Sequence, residues 1–215
     1  MSYQYLIFDL DNTLYPKESG LLKQVDRRID HFIGLKLKVP VTKISKLRYD
    51  YWKKYGTTLG GMVACDQIDP DDYIKDTYNV EIRDFLKPDP LLAKVLGGLK
   101  MKKAVFSNSP LNYVEEVLEV LQIRDFFEKV YDIRFCDYFG KPNLSSYFKV
   151  LSDLKVEGKE CLFIDDTPAN VLGGEAAGID SVLLGDSLEE GIKWRISDLM
   201  DLPALITKIE GQLIA

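Results

Sequence analysis

Apolar positions along the chain follow two periods. Four short continuous runs, YLIF at Tyr5–Phe8, KAVF at 103–106, CLFI at 161–164 and SVLL at 181–184, have the length and composition of strands covered on both faces. Between them the spacing turns helical. Val114, Val117, Leu118 and Leu121 mark one helix, with Ser109 read as its N-cap and Pro110 as a first-turn residue. TPAN at 167–170 opens another in the same way, and Gly178 closes it before the last strand. Strands alternating with helices predict an α/β fold with a mostly parallel, doubly wound sheet.

Residues 16–88 break this alternation. They are rich in helix formers, carry an apolar face through Leu21, Leu22, Val25 and Ile29, and contain no strong strand pattern. The pattern predicts a helical cap inserted after the first strand, with hinges near Tyr15 and Pro16 and within FLKPDP at 85–90. Residues 1–15 and 89–215 then form the core domain and 16–88 the cap.

Composition narrows the function classes. With 215 residues, 46% of them apolar, the chain can fill a sizeable core. A formal charge of −6, from 28 basic and 34 acidic residues, gives no footing for a nucleic-acid polymer or an anionic membrane. No run reaches the ~18 apolar residues of a membrane span, and the first residues lack the basic start of a secretory signal. Three widely spaced cysteines without metal-ligand spacing suit a reducing cytoplasm. A cytoplasmic monomer or homodimer is expected.

Ligands of open parallel sheets gather beyond the carboxyl ends of the strands, and the chemically active side chains fall there. Asp9 and Asp11 follow the first run; Ser107, Asn108 and Ser109 follow the second. Lys141 lies in GKPN before a later helix, and Asp165 and Asp166 follow the third run. Four carboxylates on one rim repel one another unless a cation sits among them, and hard oxygen ligands suit Mg²⁺. An ammonium and a hydroxyl suit the non-bridging oxygens of a phosphate. One carboxylate can then act as nucleophile and a second, two residues on, as general acid and base. Magnitudes favour such a composite site, since phosphate-monoester hydrolysis needs accelerations up to ~10²¹ and one general acid contributes only ~10²–10⁴.

DLDNTLY, SNS, GKP and DDTPAN, in this order over nearly the whole chain, resemble the four motifs of the haloacid dehalogenase-like (HAD) hydrolase superfamily. The resemblance implies a Rossmann-like core with an inserted cap and an aspartyl-phosphate intermediate. By the same resemblance Asp9 attacks phosphorus, Asp11 protonates the leaving oxygen and then activates water, and Ser107, Asn108 and Lys141 hold the phosphoryl group. Mg²⁺ would be held by Asp9, the main-chain carbonyl of Asp11, Asp165 and Asp166, with Asn170 supporting these acids. Dehalogenases lack the second acid, so Asp11 implies phosphoryl transfer. An insertion between the first and second motifs implies a small phosphorylated metabolite as substrate.

A finer resemblance covers YWKKYGTTLGGM, FLKPDPLL and RFCDYFGKPN, which look similar to the pyrimidine 5'-nucleotidase-like branch, although Gly60 stands where that branch often has a basic residue. It implies a nucleoside 5'-monophosphate, with Tyr15 and the cap loop Leu59, Gly60, Gly61 and Met62 facing the leaving group. A sugar-phosphate phosphatase or phosphomutase uses the same parts, and a regulatory module that accepts phosphate on an aspartate is the alternative of another class. Elsewhere the expectations are plainer. Ser109 is assigned to capping, the Tyr49, Tyr51, Trp52 and Tyr55 stripe to core, and KLRYDYWKK to a solvated basic face from which Arg48 or Lys53 could reach an anion.

Overall fold

A computed structural model describes residues 3–212. Six strands form one wholly parallel sheet: β1 (Tyr5–Phe8), β2 (Lys102–Phe106), β3 (Lys129–Tyr131), β4 (Cys161–Asp165), β5 (Asp180–Leu184) and β6 (Trp194–Ile196). Their order is β3-β2-β1-β4-β5-β6. The four expected runs are strands, each within one residue of its predicted bounds. The two unforeseen strands, β3 and β6, are three-residue edges, too short to show a period and short as exposed edges commonly are.

Nine helices accompany the sheet among the described residues. Four, α1 (Leu21–Leu37), α2 (Val41–Tyr55), α3 (Thr58–Asp66) and α4 (Pro70–Thr77), lie between β1 and β2. The others are α5 (Pro90–Gly98), α6 (Leu111–Val120), α7 (Leu144–Leu154), α8 (Pro168–Ala176) and α9 (Leu202–Gln212). None is long and apolar enough to cross a membrane. Strand alternation sorts the two faces of the sheet. Leu6, Phe8, Val105, Leu162 and Ile164 pack with α5, α6 and α9 residues such as Leu96, Val117 and Leu202. Tyr5, Ile7, Phe106, Cys161 and Phe163 face Tyr147, Val150, Leu151 and Leu154 of α7. Both faces are therefore dry, which is why the strands read as unbroken apolar runs.

The inserted helices are built by the same rule. The α1 stripe continues past the expected residues to Phe32 and Ile33, all buried, and Phe32 meets Tyr73 of α4 edge-on at 5.3 Å. Leu22 is only partly buried. KLRYDYWKK is not simply a solvated face. Arg48 donates to Asp26, and at 2.8 Å to Asp30, so it knits α2 to α1. In α3, a Cβ on Gly61 would come within 2.3 Å of the Tyr51 ring, so the α2–α3 packing requires glycine there.

Candidate active site

β1 sits between β2 and β4, and the chain reverses its direction of winding between β1 and β4. Such a switch point opens a crevice beyond the strand ends. Asp9 follows β1 directly, its N–H donating to the Ile164 carbonyl at 2.8 Å, and Asp165 is the last residue of β4. The main chain thus sets the two carboxylates side by side.

Lys141 reaches between them. Its Nζ donates to Asp9 Oδ1 at 2.6 Å and to Asp165 Oδ2 at 2.7 Å, with the residue 1% exposed. Beneath the ammonium lie the rings of Phe106 and Phe163, at 5.1 and 5.3 Å. Burial alone would lower the lysine pKa, but the charges of Asp165 and Asp9 outweigh it and hold it above its usual value. Two of its three N–H donors are engaged, which leaves one for a ligand.

Asn108 fixes where that lysine starts. Its Oδ1 accepts the Lys141 N–H at 2.8 Å and its Nδ2 donates to the Lys141 carbonyl at 2.9 Å. A Cβ on Gly140 would stand 2.0 Å from Asn108 Oδ1, so glycine is needed before the lysine. The Asn108 side chain is thus tied to the GKP backbone, with one Nδ2 hydrogen left to donate. Ser107 is fully buried, and its Oγ accepts the Ser109 N–H at 3.0 Å, leaving its own O–H to donate.

Asp165 is the most fully bonded acid. Besides Lys141, it accepts Thr167 N–H at 2.8 Å and Asn170 Nδ2 at 3.1 Å on each oxygen. Asn170 stands where the sequence reading put it, behind the acids. Asp166 is looser, with Asn12 Nδ2 at 3.4 Å and Thr167 Oγ1 at 3.2 Å. Carboxylate oxygens of Asp9, Asp165 and Asp166 lie within 4.8 Å of one another. Burial, then the neighbouring Asp165 charge, pushes Asp166 up to about 6. Burial also raises Asp9 well above the usual carboxylate range, with Lys141 opposing and the other acids adding to the effect. One ammonium does not neutralise three acids, and this donor set fits a hard divalent cation.

The Asp11 carboxylate is absent from that cluster. Tyr15 OH and, at 3.0 Å, Tyr113 OH donate to its Oδ1, and Ser109 Oγ donates to Oδ2 at 2.6 Å. Two expectations change here. Ser109 does not cap α6, whose N-cap position is Pro110 with no side-chain cap; it serves the acid instead. Tyr15 turns its hydroxyl to Asp11 rather than to a leaving group. Neither Tyr113 nor Asn12 was singled out from sequence. Asn12 carried a signal, since it sits inside the first motif and adopts φ +59°, a conformation asparagine tolerates. Tyr113 carried none beyond its helical spacing.

The expected cap loop is the first part of α3. Gly60 packs on the Tyr138 carbonyl, where a Cβ would fall at 2.8 Å, Gly61 packs on Tyr51, and Met62 is fully buried. These three residues serve packing, and only Leu59 of the four lines a cavity. That cavity, about 270 Å³, is walled by Leu22, Ile29, Trp52, Leu59, Tyr73 and Tyr78 above Asn108 and Ile133. Trp52 thus faces an opening rather than the core. Arg48 is the one charged residue in its lining, already paired with Asp26 and Asp30. A larger concavity of about 490 Å³ borders Asn12 and Asp166 and contains no residue of α1 to α4.

The sequence profile of the haloacid dehalogenase-like hydrolase family matches residues 3–178. Phosphate metabolism protein 8 of Saccharomyces cerevisiae is 27% identical over 197 residues, covering 82% of this chain and 60% of the yeast protein. The chain thus spans about three fifths of that relative's length. Phosphoglycolate phosphatase of Aquifex aeolicus is 26% identical over 192 residues, covering 83% of each chain. Among solved structures, a HAD phosphatase from Thermococcus onnurineus superimposes with a TM-score of 0.62 at 17% identity, covering 96% of this chain and 98% of the other. A 2-haloacid dehalogenase from Pseudomonas syringae gives 0.61 at 17% identity, over 96% and 99%. Those two likenesses are of fold.

Proposed function

We propose that this chain, which belongs to the haloacid dehalogenase-like hydrolase family, is a Mg²⁺-dependent phosphatase of small phosphate monoesters with uncharged leaving groups, nucleoside 5'-monophosphates foremost. Residues 16–88 act in this reading as a cap over a core formed by 1–15 and 89–215. The observation that carries it is the ammonium of Lys141 on Asp9 Oδ1. A nucleophilic carboxylate beside a cation, with Ser107 O–H nearby and a second carboxyl two residues on, suits in-line attack on phosphorus.

Atoms balance in two steps. An Asp9 oxygen attacks phosphorus, the bond from phosphorus to the ester oxygen breaks, and that oxygen takes a proton from Asp11. Water then attacks the aspartyl-phosphate, giving its proton to Asp11, and the bond from phosphorus to Asp9 breaks to release phosphate. Lys141 and Ser107 offset charge on the transferring oxygens throughout. When bound, Mg²⁺ would add Lewis-acid stabilisation of the same oxygens. Asp9, Asp165 and Asp166, each with a carboxylate oxygen within 4.8 Å of the others, would hold it together with the Asp11 main-chain carbonyl.

The cavity supports the leaving-group class. Its walls are mainly aromatic and aliphatic, with Thr57, Thr58 and Asn108 as uncharged polar groups, and its one cation, Arg48, meets two carboxylates of its own. A leaving group bearing a carboxylate, such as glycolate, would meet no unpaired positive charge there, whereas a nucleoside gains apolar and aromatic contact. Phosphate release from UMP, CMP, AMP, GMP, sugar phosphates and phosphoglycolate tests this. UMP or CMP should be cleaved fastest, with activity lost in chelator; faster release from phosphoglycolate or a sugar phosphate would overturn the leaving-group assignment.

Metal binding has its own readout. Mg²⁺ that binds only the folded protein raises the melting temperature, and it competes with protons for Asp166, whose carboxyl titrates at about 6. Without metal, the sign for that group is opposite. The folded protein holds a proton the unfolded chain has released, so Asp166 contributes stability that falls as pH rises from 3.8 to about 6. Thermal melts should therefore show a larger Mg²⁺-induced rise at about pH 8 than at about pH 5. An equal rise at both would exclude Asp166 as a ligand.

A further inference from the structure

Three hydroxyl donors hold the Asp11 carboxylate, and they come from three separate parts of the chain. Tyr15 ends the first motif, Ser109 ends the second, and Tyr113 lies on α6, 102 residues from Asp11 and 1% exposed. Both phenols point at the same oxygen, Oδ1, and lie 3.0 Å from each other. Among the described residues Oδ2 accepts a hydrogen bond from Ser109 Oγ alone, at 2.6 Å. A fourth residue joins them from the inserted helices: Tyr78, just after α4, stacks edge-on against Tyr113 at 5.1 Å, its hydroxyl 3.4 Å from Ser109 Oγ.

We propose that Tyr113, with Tyr15, is a positioning residue that locks Asp11 so that its transferable proton rides on Oδ2, with Ser109 as the reversible partner of that oxygen. The inference rests on the phosphatase reading and deepens it. A carboxyl oxygen that already accepts two phenol O–H groups has no lone pair left to carry a proton, so the acid form places it on the other oxygen. Both phenols donate to Oδ1, which closes that oxygen to the proton. On Oδ2 the single Ser109 hydroxyl donates when Asp11 is ionised and rotates to accept when Asp11 is protonated. Rotation about the last bond of Asp11 would exchange the two oxygens, and the paired phenols oppose it.

The test separates leaving groups. In kcat/KM, which runs through the first P–O cleavage, an alkyl ester needs a proton on its departing oxygen and a nitrophenyl ester does not. Tyr113→Phe keeps the ring and its stacking on Tyr78 and removes only the hydroxyl. It should lower kcat/KM by roughly 10–100-fold for UMP, or for glycerol 3-phosphate where UMP is not cleaved, a fraction of the ~10²–10⁴ of a general acid. The change for p-nitrophenyl phosphate should be under about threefold. Ser109→Ala should show the same selectivity, and Ser109→Thr, which retains the hydroxyl, should recover most of it. Equal losses on both esters, or none on either, would overturn the positioning role. Asp11→Asn in parallel tests the reading beneath it: if that variant also fails to distinguish the esters, Asp11 is not the acid and the phosphatase mechanism itself is wrong. Failure of Tyr113→Phe alone leaves that mechanism standing and removes only the lock.

Discussion

Asp9→Asn is expected to lower kcat for phosphate release by about 10⁴–10⁶, the scale on which removal of a nucleophile is felt in enzymes that form covalent intermediates. The amide matches the carboxylate in shape but cannot attack phosphorus, and the remaining groups have nothing to transfer to. Stability should move the other way or not at all. Ionised Asp9 is buried beside Asp165 and Asp166, and its raised pKa shows that Lys141 only partly offsets the strain of keeping it charged. In the variant Lys141 still pairs with Asp165 at full strength, so no charge is stranded. Phosphate assays beside thermal melts check both halves. Activity within tenfold of the wild type would place the nucleophile elsewhere, and a marked fall in melting temperature would show that Asp9 is needed to hold the fold.

That opposition between activity and stability explains much of what the sequence made legible. Acids placed at the ends of buried strands are costly, so they stand out from a pattern that otherwise follows core packing. Asp9, Asp165 and Lys141 could be assigned because each follows or precedes a strand or turn with its own signature. The four interior strands were readable for the same reason, being apolar on both faces, whereas β3 and β6 are three residues long and leave no period to find. Other features depend on contacts remote in sequence. Ser109 looks like a helix cap until Asp11, 98 residues away, is seen to accept its hydrogen bond. Gly60 and Gly61 look like a cap loop facing the leaving group until Tyr138 and Tyr51 are found against them. Arg48 looks solvated until α1 presents Asp26 and Asp30. Local pattern identifies which groups are reactive, and tertiary packing decides which of their neighbours orient them.

Lys141→Met should cost about 3–5 kcal/mol of folding stability near neutral pH, the penalty for removing one partner from a buried charge cluster. Methionine fills most of the lysine's path over Phe106 and Phe163, so the loss is electrostatic rather than a cavity. Two buried carboxylates, Asp9 and Asp165, lose a donor at 2.6 and 2.7 Å and face each other uncompensated. The pH dependence follows from Asp9. Its pKa already lies above 3.8, and without the ammonium that favours the ionised form it rises further. The folded variant then holds a proton that the unfolded chain gives up, so its stability falls as pH rises above the unfolded carboxylate value. Urea denaturation should therefore show the gap from wild type growing with pH and narrowing in acid, where protonation replaces the missing cation. Added Mg²⁺ should recover part of the loss, because it brings positive charge to the same acids by another route. A penalty below about 1 kcal/mol that is flat with pH would mean that these carboxylates are not held apart by Lys141, and that the lysine serves the phosphate alone.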